Sequence, residues 1–230
     1  MDNINYLDYQ KEILLKWISN MPKSQTKKIK NILSIDSGNG LLDKNVINYF
    51  PNIEKYYLLQ SEYDDYKKCI NNLFGNFKFK ISYNDLFDYE LDPYLSYDLV
   101  IFFEGITKAE DCSEFINKCI KLMNKTGQIW IFTHIQKGII NHLKEILNID
   151  HISDRLLIKN LDDINCKVFN THIPTYFEIN NFNKKNLSKL LKYELNDDEL
   201  LKLKTTIKNE YGNSISVPIA VVILSKFRID

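Results

Sequence analysis

Apolar positions along this chain follow two periods, and the alternation between them predicts its elements. Between residues 4 and 20, Tyr6, Tyr9, Ile13, Leu14 and Trp17 recur at helical spacing. Asp8, Lys11, Glu12 and Lys16 fall on or near the other side, so the segment reads as an amphipathic helix, either packed on the core or lying as a lid over a ligand. Pro22 and the lysines 27, 28 and 30 lead into Ile32-Leu33-Ser34-Ile35, a short apolar run that suits a parallel strand covered on both faces. Asp36-Ser37-Gly38-Asn39-Gly40 is then a tight turn, and Leu41, Leu42, Val46, Ile47 and Phe50 predict a short helix stopped by Pro51. Tyr56 to Leu59 is a second strand, ending at Gln60-Ser61-Glu62 and followed by a helix over 62–73. Phe77, Phe79 and Ile81 alternate with lysines, the pattern of an exposed edge strand, which ends in Tyr83-Asn84-Asp85. Tyr97 to Glu104 is nearly continuous apolar sequence and reads as a central strand.

The second half is less regular. A helix is expected over 109–123, with Phe115, Cys119, Ile120 and Met123 on its buried face, then a turn at Thr126-Gly127. Ile129 to Phe132 is a strand leading into Thr133-His134, and 138–148 is helical. Lys167 to Ile179 is extended but interrupted by Pro174; helices follow over 183–192 and 197–209, the latter opened by the acidic run Asp197-Asp198-Glu199. Val217 to Leu224 is a last strand with Pro218 near its start. Repeated strand–helix–strand order predicts an α/β fold, a Rossmann-like doubly wound parallel sheet, with the last two strands as a terminal antiparallel hairpin in the same sheet. The 230 residues suffice for a single domain, divided into an N-terminal helical lid or cap (1–27), a ligand-binding core (28–135) and a C-terminal half (136–230).

Composition narrows the partners. Lys+Arg and Asp+Glu balance at 30 each, so no global basic field marks nucleic acid as an obligate partner. No stretch approaches the roughly 20 apolar residues of a membrane span. The four cysteines, Cys69, Cys112, Cys119 and Cys166, form no CxxC pair, so no metal site is expected. A reducing, cytoplasmic setting and a monomer are the expectations that fit. Aromatic residues reach 13%, enough to fill a core and also to line pockets for flat or cationic ligands.

The chemistry centres on the turn. Gly38 and Gly40 let the backbone bend and a ligand come close, and the helix start behind them offers free N–H groups. The pattern Asp-x-Gly-x-Gly lacks the third glycine of the dinucleotide fingerprint, and an acid at its head suits a cationic ligand better than a pyrophosphate. Such a ligand is S-adenosylmethionine (SAM), a sulfonium carrying an ammonium; the plainer reading is a turn that only joins strand to helix. Glu104, at the end of the central strand, is placed to orient an amine and accept its proton, and His134 is a second candidate base. Tyr6, Tyr9 and Phe102 or Phe103 are candidates to enclose the amine by cation–π contact. Plainer readings stand beside each: a solvated strand-end carboxylate, a surface histidine, core rings.

The chain resembles the class I SAM-dependent methyltransferases, and among them the histamine N-methyltransferase family of small-amine methyltransferases. The likeness is carried by Ile32-Leu33-Ser34-Ile35 before the turn, Gly38-x-Gly40 with Asp43 behind, Phe50-Pro51, Tyr97-Asp98, the connection Lys108 to Asp111, and the helix from Asp111 to Met123 leading into Ile129-Trp130-Ile131. It implies a sheet of the class I methyltransferase type, parallel with a C-terminal antiparallel strand, and SAM as cofactor. Asp36, Gly38 and Gly40 would line the methionine part of SAM. Gln60, beside Ser61, stands where the fold usually has an acid holding the ribose hydroxyls, with Glu62 two residues on. Asn84 or Asp85 would meet the adenine amino group and Phe103 would contact SAM. Glu104 would face the acceptor, with Glu12 as the candidate carboxylate on the N-terminal helix. The activity implied is methyl transfer to a nitrogen of a small amine-like molecule. The alternatives are a binding or regulatory protein that kept the fold without catalysis, and transfer to oxygen, a peptide or RNA.

Overall fold

The computed structural model describes residues 14–76, 78–83, 96–103, 113–134, 138–149, 166–173, 176–179, 182–191, 193–217 and 219–226. Its centre is a seven-stranded sheet. In chain order the strands are β1 (Asn31–Ile35), β2 (Lys55–Gln60), β3 (Phe79–Tyr83), β4 (Tyr97–Phe103), β5 (Met123–His134), β6 (Cys166–Ile173) and, after a separate two-stranded pair of β7 (Tyr176–Glu178) and β8 (Ser214–Ser216), β9 (Ile219–Lys226). The spatial order is β3-β2-β1-β4-β5-β9-β6. β1 to β5 pair in parallel, while β9 runs antiparallel to both its neighbours.

Helices cover both faces. They are α1 (the described residues 14–19), α2 (Lys23–Thr26), α3 (Leu41–Val46, extended by a 3-10 turn over Ile47–Tyr49), α4 (Tyr63–Leu73), α5 (Ser113–Leu122), α6 (Ile139–Ile146), α7 (Lys184–Leu191) and α8 (Asp197–Tyr211). Strand alternation divides the core: Ile32, Tyr56, Leu58, Leu99 and Ile101 face α1, α3 and α4, whereas Leu33, Ile35, Tyr57, Leu59 and Val100 face α5. Full burial of each such aliphatic side chain is worth about 1.5–3 kcal/mol. A third apolar cluster joins α6, α7, α8 and β8.

The N-terminal helix, where described, is a packed element. Leu14 and Ile18 are buried, and Trp17 meets Trp130 of β5 edge to face with ring centroids 4.6 Å apart. Tyr6, Tyr9 and Glu12 lie outside the described residues. Asp98 fastens the opposite end of the sheet from the glycine turn: its carboxylate accepts from the backbone N–H of Lys30 and Asn31, at 2.8 and 2.9 Å, and from the Asn124 side chain. At α8 the acidic run opens on a capping box, Asn196 and Glu199 each accepting from the other's backbone N–H.

Two expectations need correction. The last two strands of the sheet are antiparallel partners but not a hairpin; β9 inserts between β5 and β6, and β7, α7, α8 and β8 fill the connection. Met123 does not close a helix. It opens β5, which runs through Thr126-Gly127, where the sequence predicts a turn, with its irregularity absorbed as a register shift opposite Tyr97 and Leu99. No helix among the described residues is long and apolar enough to cross a membrane.

Candidate functional site

From β1 the chain winds outward through β2 to β3, then returns to the other side of β1 as β4. Strand order therefore reverses between β1 and β4, and ligands of open parallel sheets bind in the crevice beyond the carboxyl ends at such a point. The segment Asp36 to Gly40 sits there, directly after β1. It turns by three left-handed residues in five: Asp36 at φ 52°, Gly38 at 80° and Gly40 at 77°. Glycine tolerates that region freely, and aspartate enters it more readily than most residues though less freely than glycine.

The turn is held from beneath. Asp43, fully buried on α3, accepts from the Tyr56 hydroxyl at 2.8 Å and from the Ser37 hydroxyl. Gln60 donates its amide to Ser37 Oγ at 3.1 Å and to Cys69 Sγ at 3.3 Å. The Cys69 thiol in turn donates to the Gly38 carbonyl at 2.9 Å, and Asn72 donates to the Asn39 carbonyl at 2.9 Å. Asn39 Oδ1 accepts from the Leu41 N–H at the start of α3. Burial raises the Asp43 carboxyl above its ordinary range, against the bonds from Ser37 and Tyr56 that favour its charged form. Burial also pushes the Cys69 thiol up to about 12.

A second set of bonds joins the tips of β1 and β2. The Asp36 N–H donates to the Leu59 carbonyl at 2.9 Å. Asp36 Oδ1 accepts from both the backbone N–H and the hydroxyl of Ser61, each at 2.8 Å. Beside these tips, Tyr63 and Tyr66 of α4 and Tyr83 of β3 bring their rings together with centroids 5.3 to 6.2 Å apart, and Tyr63 and Tyr83 are half exposed.

The structure thus gathers Asp36, Gly38, Gly40, Gln60 and Ser61 of the expected site at one edge of the sheet. Gln60 is there in a different capacity. Its side chain is 1% exposed and its amide serves the underside of the turn, so it does not present itself to a ribose from outside. Phe103 ends β4 and His134 ends β5 at the same edge, by backbone register with Phe132 and Ile219. Asn84, Asp85 and Glu104 lie outside the described residues. The supporting polar set of Ser37, Cys69 and Asn72 escaped the sequence reading. Asp43 carried a signal: it lies on the helix between buried Leu42 and Val46, a charged residue on an apolar face.

No family model matches the sequence, and no curated protein does. Solved structures do match. A candidate methyltransferase from Bacillus halodurans aligns with a TM-score of 0.67 at 12% identity, covering 94% of this chain and 98% of that one. Coclaurine N-methyltransferase, bound to N-methylheliamine and S-adenosylhomocysteine, gives 0.62 at 13%, with 95% and 73% covered. The [4+2]-cyclase SpnF gives 0.58 at 8%, with 93% and 80% covered. These comparisons lend no support to the narrower likeness to histamine N-methyltransferases. What they show, together with the strand order, is that this chain has the Rossmann-like fold of the class I SAM-dependent methyltransferases.

Proposed function

We propose that the protein is an enzyme that transfers a methyl group from SAM to a nitrogen of a small, amine-like molecule. The observation that carries this is the turn at the switch point. Ser37 and Asn39 spend their side-chain bonds within the protein, and Gly38 has no side chain, which leaves a stretch of main chain for a ligand to approach. That cradle fits the amino-acid end of SAM, and Asp36 beside it suits a ligand bearing positive charge. The rings of Tyr63, Tyr66 and Tyr83 offer the kind of surface on which a flat base stacks, with Asn84 or Asp85 following β3 to meet the adenine amino group.

When bound, SAM supplies an already activated methyl group. The chain's own work is to position the acceptor in line and to leave its nitrogen unprotonated. Glu104, which follows β4, is the proposed proton acceptor, with His134 at the end of β5 as a second base. Tyr6, Tyr9 and Glu12 are proposed to enclose the acceptor from the N-terminal segment. The nitrogen preference draws on the likeness noted in the sequence and on coclaurine N-methyltransferase among the fold's holders.

Calorimetric titration with SAM and S-adenosylhomocysteine, followed by turnover on a panel of amines, tests the reading. Micromolar binding with methyl transfer supports it, and no binding of either ligand refutes it. A second reading, a binding or regulatory protein without catalysis, is favoured by Gln60 turning inward. Binding of S-adenosylhomocysteine with no transfer to any acceptor would select it. SpnF, named for a cyclisation, illustrates that this fold does not dictate one chemistry.

A further inference from the structure

In open nucleotide-binding sheets an acid at the end of the second strand holds the ribose. Here that strand ends in Gln60, an amide buried beneath the turn. A carboxylate nevertheless reaches the β2 tip from the neighbouring strand, because Asp36 extends from the end of β1 to Ser61. We infer that Ser61, polarised by Asp36, accepts the ribose hydroxyls of the nucleoside ligand, so that the negative charge of this subsite comes from β1 instead of β2. The inference rests on the SAM reading above and assigns its sugar contact.

The count of protons and lone pairs at Ser61 sets its role. A serine hydroxyl has one proton and two acceptor lone pairs. The Ser61 proton is committed to Asp36 Oδ1 at 2.8 Å, and the Ser61 N–H bond to the same oxygen fixes the residue in place. Ser61 is a partly buried residue, so towards a ligand at this tip its oxygen has only acceptor capacity left, and a carboxylate behind it strengthens that role. A vicinal diol offers the complementary donors. Asp36 also holds its position against a backbone preference, at a φ of 52° where glycine would sit without strain. A glycine would leave Ser61 free to rotate and its proton free to point at the ligand. Asp36 is thus a positioning residue and Ser61 the one that touches the sugar.

The test is calorimetry on the full chain with S-adenosylhomocysteine and its 2′-deoxyribose and 3′-deoxyribose counterparts. The wild type should prefer the intact ribose over at least one counterpart by about tenfold or more. Ser61→Ala and Asp36→Gly should each weaken the intact ligand by a similar factor and bring the counterparts to near parity. Ser61→Thr should keep the preference, as should Glu62→Gln at the exposed neighbouring acid. Far-ultraviolet dichroism checks that each variant is folded, and Asp36→Gly relieves backbone strain rather than adding it. Preference retained in Ser61→Ala and Asp36→Gly overturns the inference and leaves the SAM reading standing. Preference lost in Glu62→Gln transfers the role to Glu62 and also overturns it. A wild type that binds none of the three ligands overturns both.

Discussion

Gly40→Ala separates the two demands that the turn makes on its second glycine. A Cβ built there would lie 3.0 Å from Leu73 Cδ1, 3.1 Å from Cys69 Sγ and 3.3 Å from Leu73 Cγ, and φ is +77°. The left-handed backbone alone should cost an alanine about 1–2 kcal/mol. Crowding against α4 adds about 1–3 kcal/mol, because Leu73 and Cys69 are themselves buried and cannot swing away without disturbing Gln60 and Gly38. Gly75 is the internal control. It has a φ of +80° and nothing within 4 Å of its would-be Cβ, so Gly75→Ala should show the backbone cost without the crowding. Urea unfolding followed by circular dichroism gives both losses, and in a chain of this size each kcal/mol lowers Tm by about 2–4 °C. Gly40→Ala should exceed Gly75→Ala by at least about 1 kcal/mol. Equal losses would refute the claim that α4 packs tightly under the turn.

Four further outcomes are expected. Asp43 has its carboxyl raised by burial, so the folded state holds that proton more tightly than the unfolded chain; its contribution is full below about pH 4 and falls as pH rises through the folded value. Asp43→Asn should therefore gain on the wild type in urea unfolding as pH rises above about 4, and a gap that widens in the wild type's favour would contradict this. Cys69 and Cys119, both buried and both raised by burial, should react with a thiol reagent only on unfolding, seen as slow release that accelerates in urea. Gly38→Val should abolish S-adenosylhomocysteine binding by filling the cradle, and unchanged affinity by calorimetry would displace the site. Glu104→Gln should slow methyl transfer at least about 100-fold while leaving that affinity within a few-fold, and equal loss of both would deny it an acceptor-side role.

Legibility in the sequence followed how local each signal is. Ile32 to Ile35, Tyr56 to Leu59 and Tyr97 to Phe103 stood out because doubly covered strands must be apolar on both faces, and all three are central in the sheet. Lys78 and Lys80, alternating with Phe77, Phe79 and Ile81, mark β3 as an edge, and it is the outermost strand on its side. The place of β9 could not be read the same way, since an apolar run states that a strand is buried but not between which neighbours. At the site, Gly38 and Gly40 announced the bend. Which way Gln60 would point depended on Ser37 and Cys69, contacts 23 and 9 residues away along the chain. By sequence alone Asp36 reads as an anchor for a ligand's charge; its bonds to Ser61, 25 residues on, appear only once β1 and β2 stand side by side.

The insertion of β9 also orders events in time. A ribosome delivers β1 to β5 first, and each can join the growing sheet as it emerges. β6 cannot do the same, because the strand that links it to β5 is made last of the seven. Until then its backbone edge and that of β5 are both open, and the nascent protein carries two unprotected seams that a single late segment closes.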